Sequence, residues 1–418
     1  MSKVIVVGQG YVGLPVAVRA AEAGFDVIGF DVDATKVKRL AAGESFIEDI
    51  DDDRLGAVLR SGRYRPSADA SDLHGFDVAV ISVPTPLTEG VPDLTFIESA
   101  AASLAPFVSP GCTVILESTT YPGSTEELVA PILEAASGLI PGQDFHLGYS
   151  PERIDPGNQT WTFETTPKIV SGVTPASLDA VQGFFDQLVD TTVPVSGPKE
   201  AELAKLLENT FRHVNIALVN ELARFANDLD IDIWEAIEAA DSKPFGFMKF
   251  TPGPGVGGHC LPIDPSYLSW RVRRSLGHTF RFVELANDVN EHMPSYVVER
   301  VAAALNERRL AVRGQRVLLL GLSYKKNTGD PREAPSRHII KNLLQLGAEV
   351  HAVDPHVVAE QVPAGVQVVD LSAEELAQAA ITILVVDHDV FDTELIVGSA
   401  QHVLDCRNVL EGPNVEVL

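Results

Sequence analysis

Cys260 stands in Pro252-Gly253-Pro254-Gly255-Val256-Gly257-Gly258-His259-Cys260-Leu261-Pro262-Ile263-Asp264, a stretch suited to nucleophilic chemistry. Gly253, Gly255, Gly257 and Gly258, just before the thiol, let backbone approach a ligand closely. Their N–H groups could lower the thiol pKa or bind an oxyanion. Asp264 follows four residues after the thiol, within reach of the same site if the turn continues helically. The plain alternative is a buried structural cysteine, and His259 could be a base or a structural residue.

Gly8-Gln9-Gly10-Tyr11-Val12-Gly13 is a G-x-G-x-x-G placed after an apolar run and opening a helical pattern. Its glycines permit a tight turn, close approach of a pyrophosphate and close helix–strand packing. Asp31 falls where a second strand ends and can accept hydrogen bonds from a ribose 2′-hydroxyl, which favours NAD over NADP. Lys36 could reach the adenosine end or lie on the surface. Lys205, Asn209 and Arg212 recur at i, i+4 and i+7 on a predicted helix. That stripe could serve an anionic, hydroxyl-rich ligand or be a solvated face. Tyr324-Lys325-Lys326, Asp330-Pro331-Arg332-Glu333 and Arg407 follow predicted strands, where basic groups can hold phosphate.

Alternating elements must position these residues. Strands are expected at 3–8, 26–31, 77–83, 113–118 and 145–149, with a helix at 12–23, which implies a parallel, doubly wound sheet. Residues 199–228 read as one long helix, with Leu203, Leu206, Leu207, Phe211 and Val214 at helical spacing. That helix could be an interdomain spine and dimer surface, or a core helix. The alternation restarts at 316–320, 336–346, 350–354, 381–386 and 403–405. The expected fold class is α/β: two Rossmann-like doubly wound parallel-sheet domains, 1–197 and 312–418, joined by a central helical domain, 198–311. Two such lobes suggest two nucleotide-bearing ligands meeting at a cleft.

The formal charge of −26 on 418 residues argues against nucleic acid or an anionic membrane as partner. No stretch approaches the roughly 20 apolar residues of a membrane span. Three scattered cysteines, Cys112, Cys260 and Cys406, form no disulfide framework and no metal-site spacing, so a reduced, cytoplasmic setting is expected. Glu48-Asp49-Ile50-Asp51-Asp52-Asp53 lacks regular ligand spacing and reads as a loop or helix start rather than a cation site.

Eight motifs in order resemble the nucleotide-sugar 6-dehydrogenase family, which includes the UDP-glucose, UDP-N-acetylglucosamine and UDP-N-acetylmannosamine dehydrogenases. They are 8–15, Val83-Pro84-Thr85-Pro86, Glu117-Ser118-Thr119-Thr120-Tyr121-Pro122-Gly123, Ser150-Pro151-Glu152-Arg153, 200–209, 252–265, 325–332 and Asp405-Cys406-Arg407. The resemblance implies four-electron oxidation of a UDP-sugar's primary alcohol with two NAD⁺, through a thiohemiacetal and a thioester on Cys260. It implies proton transfer by Lys205, water ordering by Asn209 and Asp264, and active-site places for Thr119 and Glu152, the latter a candidate base. It puts Gly8, Gly10, Tyr11, Val12, Gly13, Asp31, Lys36, Thr85, Thr119 and Arg332 at NAD. Arg153, Ile154, Lys205, Asn209, Arg212, Gly257, Tyr324, Lys325 and Arg407 fall to the substrate. A homodimer through the long helix is also implied.

For the sugar, Lys243-Pro244-Phe245-Gly246-Phe247-Met248 and Ser118-Thr119-Thr120-Tyr121-Pro122-Gly123 look like the UDP-N-acetylglucosamine branch. UDP-glucose, or UDP-N-acetylmannosamine, is the alternative. Lys249-Phe250-Thr251 departs from the pattern near the expected sugar pocket.

Overall fold

The computed structural model describes residues 2–418 other than 48, 89, 155–157, 159, 259 and 260. It divides into two compact units: residues 1–208 with 266–278, and residues 209–265 with 279–418. Each contains one large sheet.

The first sheet has eight strands. In spatial order they are Thr192–Pro194, Lys168–Gly172, His146–Tyr149, Thr113–Leu116, Val78–Ile81, Lys3–Val7, Asp26–Phe30 and Tyr64–Ser67. The central strand shows why a continuous apolar run is needed. Val4 and Val6 enter one core, with Leu14, Val18 and Phe185, while Ile5 and Val7 enter another, with Ile81, Leu116 and Leu147. A strand buried on both faces cannot alternate with polar residues. Each such side chain contributes roughly 1.5–3 kcal/mol of transfer free energy.

The five expected strands pair parallel, and the sheet adds one antiparallel seam beyond them. His146–Tyr149 runs antiparallel to Lys168–Gly172, with Gly148 opposite Gly172. A Cβ on Gly148 would stand 2.1 Å from the Ser171 carbonyl oxygen, and one on Gly172 would stand 2.1 Å from Leu178 N. Both seam positions therefore require glycine.

The second sheet has six strands, all parallel, ordered Gln367–Val368, Glu349–Val353, Arg316–Leu320, Ile381–Leu384, Val403–Asp405 and Val415–Val417. Val317 and Leu319 face one core, and Leu318 and Leu320 the other. The strand order reverses beside the first strand of each sheet, the place where α/β sheets bind ligands. The turns there match. Gly8 N–H donates to Phe30 O at 2.8 Å, and Gly321 N–H donates to Val353 O at 2.9 Å.

The long helix, Pro198–Asp228, begins in the first unit and continues into the second. Its buried face mixes polar residues with apolar ones such as Leu206, Ala217 and Val219. Glu202, Lys205, Asn209, His213 and Asn220 are buried, whereas Leu203, Leu207, Phe211, Leu218, Leu222 and Phe225 are exposed. The acidic run is a helix start: Asp51 accepts the Arg54 N–H at 2.7 Å and caps the helix Asp52–Arg60.

Candidate active site

The glycine turn of the first unit is built for a ligand's backbone approach. Gly8 has φ +94°, and a Cβ there would lie 2.1 Å from the Ser82 carbonyl oxygen. A Cβ on Gly13 would stand 1.9 Å from the Gly8 oxygen, so helix Gly13–Glu22 can start only this close to the strand with glycine. Gly10 differs, because nothing lies within 4 Å of its Cβ position. Its side is an open cradle that a methyl group would fill, which fits a bound pyrophosphate.

Asp31 closes the cradle. Its Oδ2 accepts the Gln9 N–H at 2.9 Å and its Oδ1 accepts the Asp33 N–H at 2.9 Å. Lys36 Nζ lies 3.7 Å from Oδ2, so Lys36 stands beside the carboxylate. Gln9 is wholly buried; its Nε2 donates to Val6 O, and its Oε1 accepts from the Tyr64 hydroxyl at 2.8 Å. Tyr11 is exposed at the mouth.

Beyond the turn, Ser118 Oγ accepts the Val83 N–H at 2.8 Å and donates to Val83 O at 2.9 Å. This ties the segment bearing Thr85 to the one bearing Thr119. Glu202, from the long helix, holds the far end of that second segment. It accepts N–H groups from Gly123 at 2.5 Å and Thr125 at 2.9 Å, and the Thr125 hydroxyl at 2.7 Å. Burial pushes the Glu202 carboxyl up to about 7 against those donors.

Glu152 lies behind this loop. Its Oε1 accepts the N–H groups of Arg153 at 2.6 Å and Ile154 at 2.7 Å, and its Oε2 accepts from Lys168 Nζ at 2.9 Å. Lys168 also donates to Glu117 Oε1 at 2.5 Å. Arg153 is engaged with Glu208 at 2.6 Å and with the Pro167 carbonyl at 2.7 Å.

In the second unit the glycine loop is packed closely. A Cβ on Gly257 would stand 2.9 Å from Tyr324 Cβ, and one on Gly258 would stand 2.8 Å from the Tyr324 ring. A Cβ on Gly253 would stand 3.2 Å from an Arg407 guanidinium nitrogen. The loop is thus brought against two of the expected substrate residues, and its start is fixed where Asn220 Oδ1 accepts the Gly253 N–H at 2.9 Å. Asn220 belongs to a buried network in which its Nδ2 donates to Asn290 and Asn290 donates to the His213 carbonyl. After the loop, Asp264 opens the helix Asp264–Leu276 and accepts from Asn209 Nδ2 at 2.5 Å. His259 and Cys260 themselves lie outside the described residues.

Arg407 is aimed by its neighbour Asp405. That carboxylate accepts the N–H groups of Arg407, Asn408, Val409 and Leu410 at 2.7–3.0 Å, and Arg407 Nε donates to Val385 O at 2.7 Å. Burial pushes the guanidinium below its usual value. Lys325 sits on a turn held from both sides. Its carbonyl accepts the Ser323 hydroxyl at 2.8 Å and the Thr328 hydroxyl at 2.9 Å, and His388 Nδ1 accepts the Asn327 N–H at 2.9 Å. His388 Nε2 lies 3.1 Å from Asp354, which also accepts N–H groups from Leu322 and His356.

Some expected residues stand apart. Arg212 is exposed, although Lys205 and Asn209 are buried on the same helix, and Arg332 is exposed and chelates Asp330 at 2.7–2.8 Å. Sequence reasoning missed Glu117, Lys168, Glu202, Asn220 and Asp354 as site-building residues. The signal for Glu117 and Lys168 was a charged residue directly at the edge of an apolar strand.

Profiles of one family match three stretches of the chain. The UDP-glucose/GDP-mannose dehydrogenase family's NAD binding domain matches residues 2–189, its central domain 199–292, and its UDP binding domain 318–412. A UDP-N-acetyl-D-glucosamine 6-dehydrogenase of Pseudomonas aeruginosa is 38% identical over 360 residues, 86% of this chain and 84% of that one. An NDP-N-acetyl-D-galactosaminuronic acid dehydrogenase of Ralstonia solanacearum is 35% identical over 419 residues, 97% and 95% of the two chains. The solved structure of a UDP-D-ManNAc dehydrogenase from Pyrococcus horikoshii is 32% identical, with a TM-score of 0.91 over 99% of this chain and 98% of that one.

Proposed function

Because the chain belongs to the UDP-glucose/GDP-mannose dehydrogenase family and is an NAD-dependent UDP-sugar dehydrogenase, we propose that it oxidises the 6-hydroxymethyl group of UDP-N-acetylglucosamine to a carboxylate. The observation that carries this reading is the packing of the Gly253–Gly258 loop against Tyr324 and Arg407 beside the buried Asn209–Asp264 pair. A loop that close to a guanidinium suits an anionic, nucleotide-bearing ligand. The motif resemblance and the 38% identical glucosamine relative support the acetylglucosamine assignment.

The division of labour follows from the proposed domains. Residues 1–197 hold NAD with Gly8, Gly10, Gly13 and Asp31, joined by Tyr11, Val12, Lys36, Thr85 and Thr119, and Arg332 of the C-terminal domain is also assigned to NAD. Residues 312–418 hold the diphosphate with Tyr324, Lys325 and Arg407, and Arg153, Ile154, Arg212 and Gly257 complete the sugar site. Residues 198–311 carry the thiol. The chemistry NAD supplies when bound is acceptance of hydride from the sugar C6.

Cys260 adds to the aldehyde carbon while a proton goes to the aldehyde oxygen, which gives a thiohemiacetal. Loss of hydride and a proton gives the thioester, and water cleaves it to carboxylate and free thiol. Lys205 moves the alcohol proton and steadies developing oxyanions, with Asn209 and Asp264 ordering the water and Glu152 and Thr119 at the reacting end.

The exposed apolar row Leu203, Leu207, Phe211, Leu218, Leu222 and Phe225 on the long helix supports a homodimer, since exposed apolar rows suit interfaces. Cys112 and Cys406 are free, which accords with a cytoplasmic setting. NADH release across UDP-sugars, with product mass measured, tests the reading. The expected result is two NADH per sugar acid, with UDP-N-acetylglucosamine ahead of UDP-glucose, UDP-N-acetylmannosamine and UDP-N-acetylgalactosamine. One NADH per turnover with free aldehyde as product overturns the four-electron route.

A further inference from the structure

Three ionisable side chains from separate segments meet behind the Thr119 loop, inside the first unit. Glu117 follows the strand Thr113–Leu116, Glu152 follows His146–Tyr149, and Lys168 opens Lys168–Gly172. Lys168 is 3% exposed and Glu117 wholly buried in their side chains, with Glu152 at 12%. Lys168 Nζ donates to Glu117 at 2.5 Å and to Glu152 at 2.9 Å. The rings of Phe163 and Phe185 lie 5.3 and 5.1 Å from it. The adjacent cation, Arg153, is turned to Glu208 and the Pro167 carbonyl.

The cluster is asymmetric. Both oxygens of Glu152 are used, by Lys168 and by two backbone N–H groups. Glu117 has only Lys168, and its Oε2 is buried without a hydrogen-bond partner among the described residues. Two carboxylates with one ammonium leave one negative charge uncompensated in an apolar pocket if all three ionise. A buried unpaired charge is unfavourable, so one carboxyl takes a proton. Glu152 has three donors favouring its anion, and Glu117 has one. The proton belongs on Glu117.

We propose that Glu117 and Lys168 are positioning residues that fix the orientation and the ionisation of Glu152, with Glu117 the member that carries a proton. Lys168 spans both carboxylates, so it holds Glu152 anionic and aimed while Glu117 absorbs the excess charge. Burial moves the Glu117 carboxyl upward, and Lys168 with the backbone donors moves Glu152 downward despite its burial, in line with this assignment. The inference rests on the dehydrogenase reading only for its catalytic consequence. The proton on Glu117 is a property of the chain alone.

Two measurements test it. Infrared titration of the full-length protein without substrate is expected to show two protonated buried carboxyls near neutral pH, Glu117 and Glu202, and only the Glu117 contribution is lost in Glu117→Gln. An undiminished carboxyl band in Glu117→Gln overturns the assignment. The second is the acid limb of the kcat profile. Lys168→Met removes the cation and raises the limb by about one pH unit or more, whereas Glu117→Gln, neutral like the protonated carboxyl it replaces, leaves it in place. Lys168→Arg keeps the wild-type limb. A limb that Lys168→Met does not raise, or that Glu117→Gln lowers by about one pH unit, overturns the proposal. If Lys168→Met does not fold, Glu117→Gln and Lys168→Arg carry the comparison. A wild-type chain that makes no NADH from any UDP-sugar refutes the dehydrogenase reading, while the infrared band still decides the proton.

Discussion

Asn209 donates its side-chain amide to Asp264 across 2.5 Å, joining the long helix to the first residue of the helix that follows the glycine loop. Both residues are buried. The bond anchors the C-terminal end of the loop that Asn220 anchors at its start. Asp264→Asn keeps an oxygen that can accept from Asn209 but removes the carboxylate charge. The expected outcome is a fall in kcat of about 10²-fold, the scale on which misplaced proton-handling groups cost rate, with the melting temperature little changed. Steady-state NADH production alongside calorimetry checks both halves.

Gly8 and Gly10 separate structure from cofactor binding. Gly8→Ala meets the Ser82 carbonyl at 2.1 Å at a positive φ, so the chain should lose stability. Gly10→Ala meets nothing within 4 Å, so it should melt like the wild type and show a sharply raised KM for NAD. Equal melting temperatures for the two variants would contradict the cradle.

Asp31 should matter to affinity more than to turnover. Hydrogen bonds to a charged group contribute roughly 1.5–3 kcal/mol, so Asp31→Ala should raise the KM for NAD about 10- to 100-fold. Binding measured by calorimetry is the check, because the Gln9 and Asp33 N–H groups that shape the turn also lose their acceptor.

Asp354 makes the second unit acid-sensitive. Burial raises its carboxyl pKa, but His388 and the N–H groups of Leu322 and His356 outweigh that and hold it at about 2. A carboxylate depressed in the folded state stabilises fully above its unfolded pKa, about 3.8, and loses that contribution as pH falls toward 2. The difference of nearly two units corresponds to about 2 kcal/mol. Melting curves from pH 6 to pH 2 should show the loss, and Asp354→Asn should flatten it.

The exposed row on the long helix should be an assembly surface. Leu222→Glu or Phe225→Glu puts a carboxylate into that row, and sedimentation should show monomer where the wild type shows dimer. An unchanged sedimentation coefficient would remove the helix from the interface.

Local physics made much of this molecule legible. The Gly8–Gly13 turn, Asp31 and the apolar strand Lys3–Val7 follow from short-range rules, because a tight turn, a phosphate approach and a doubly buried strand each constrain adjacent residues. The long helix was legible in length. Its inward face was not, since Leu203, Leu207 and Phe211 keep helical spacing yet are exposed, while Lys205, Asn209 and His213 are buried.

By itself the sequence determined the two doubly wound lobes, the dinucleotide turn and the glycine-rich thiol loop, because periodicity and glycine placement act over a few residues. Only the tertiary structure decided which polar groups pair. Glu117 meets Lys168 across 51 positions, Asn209 meets Asp264 across 55, and Asp354 meets His388 across 34. A buried charge must find its partner wherever the chain returns, and no local pattern encodes where that is.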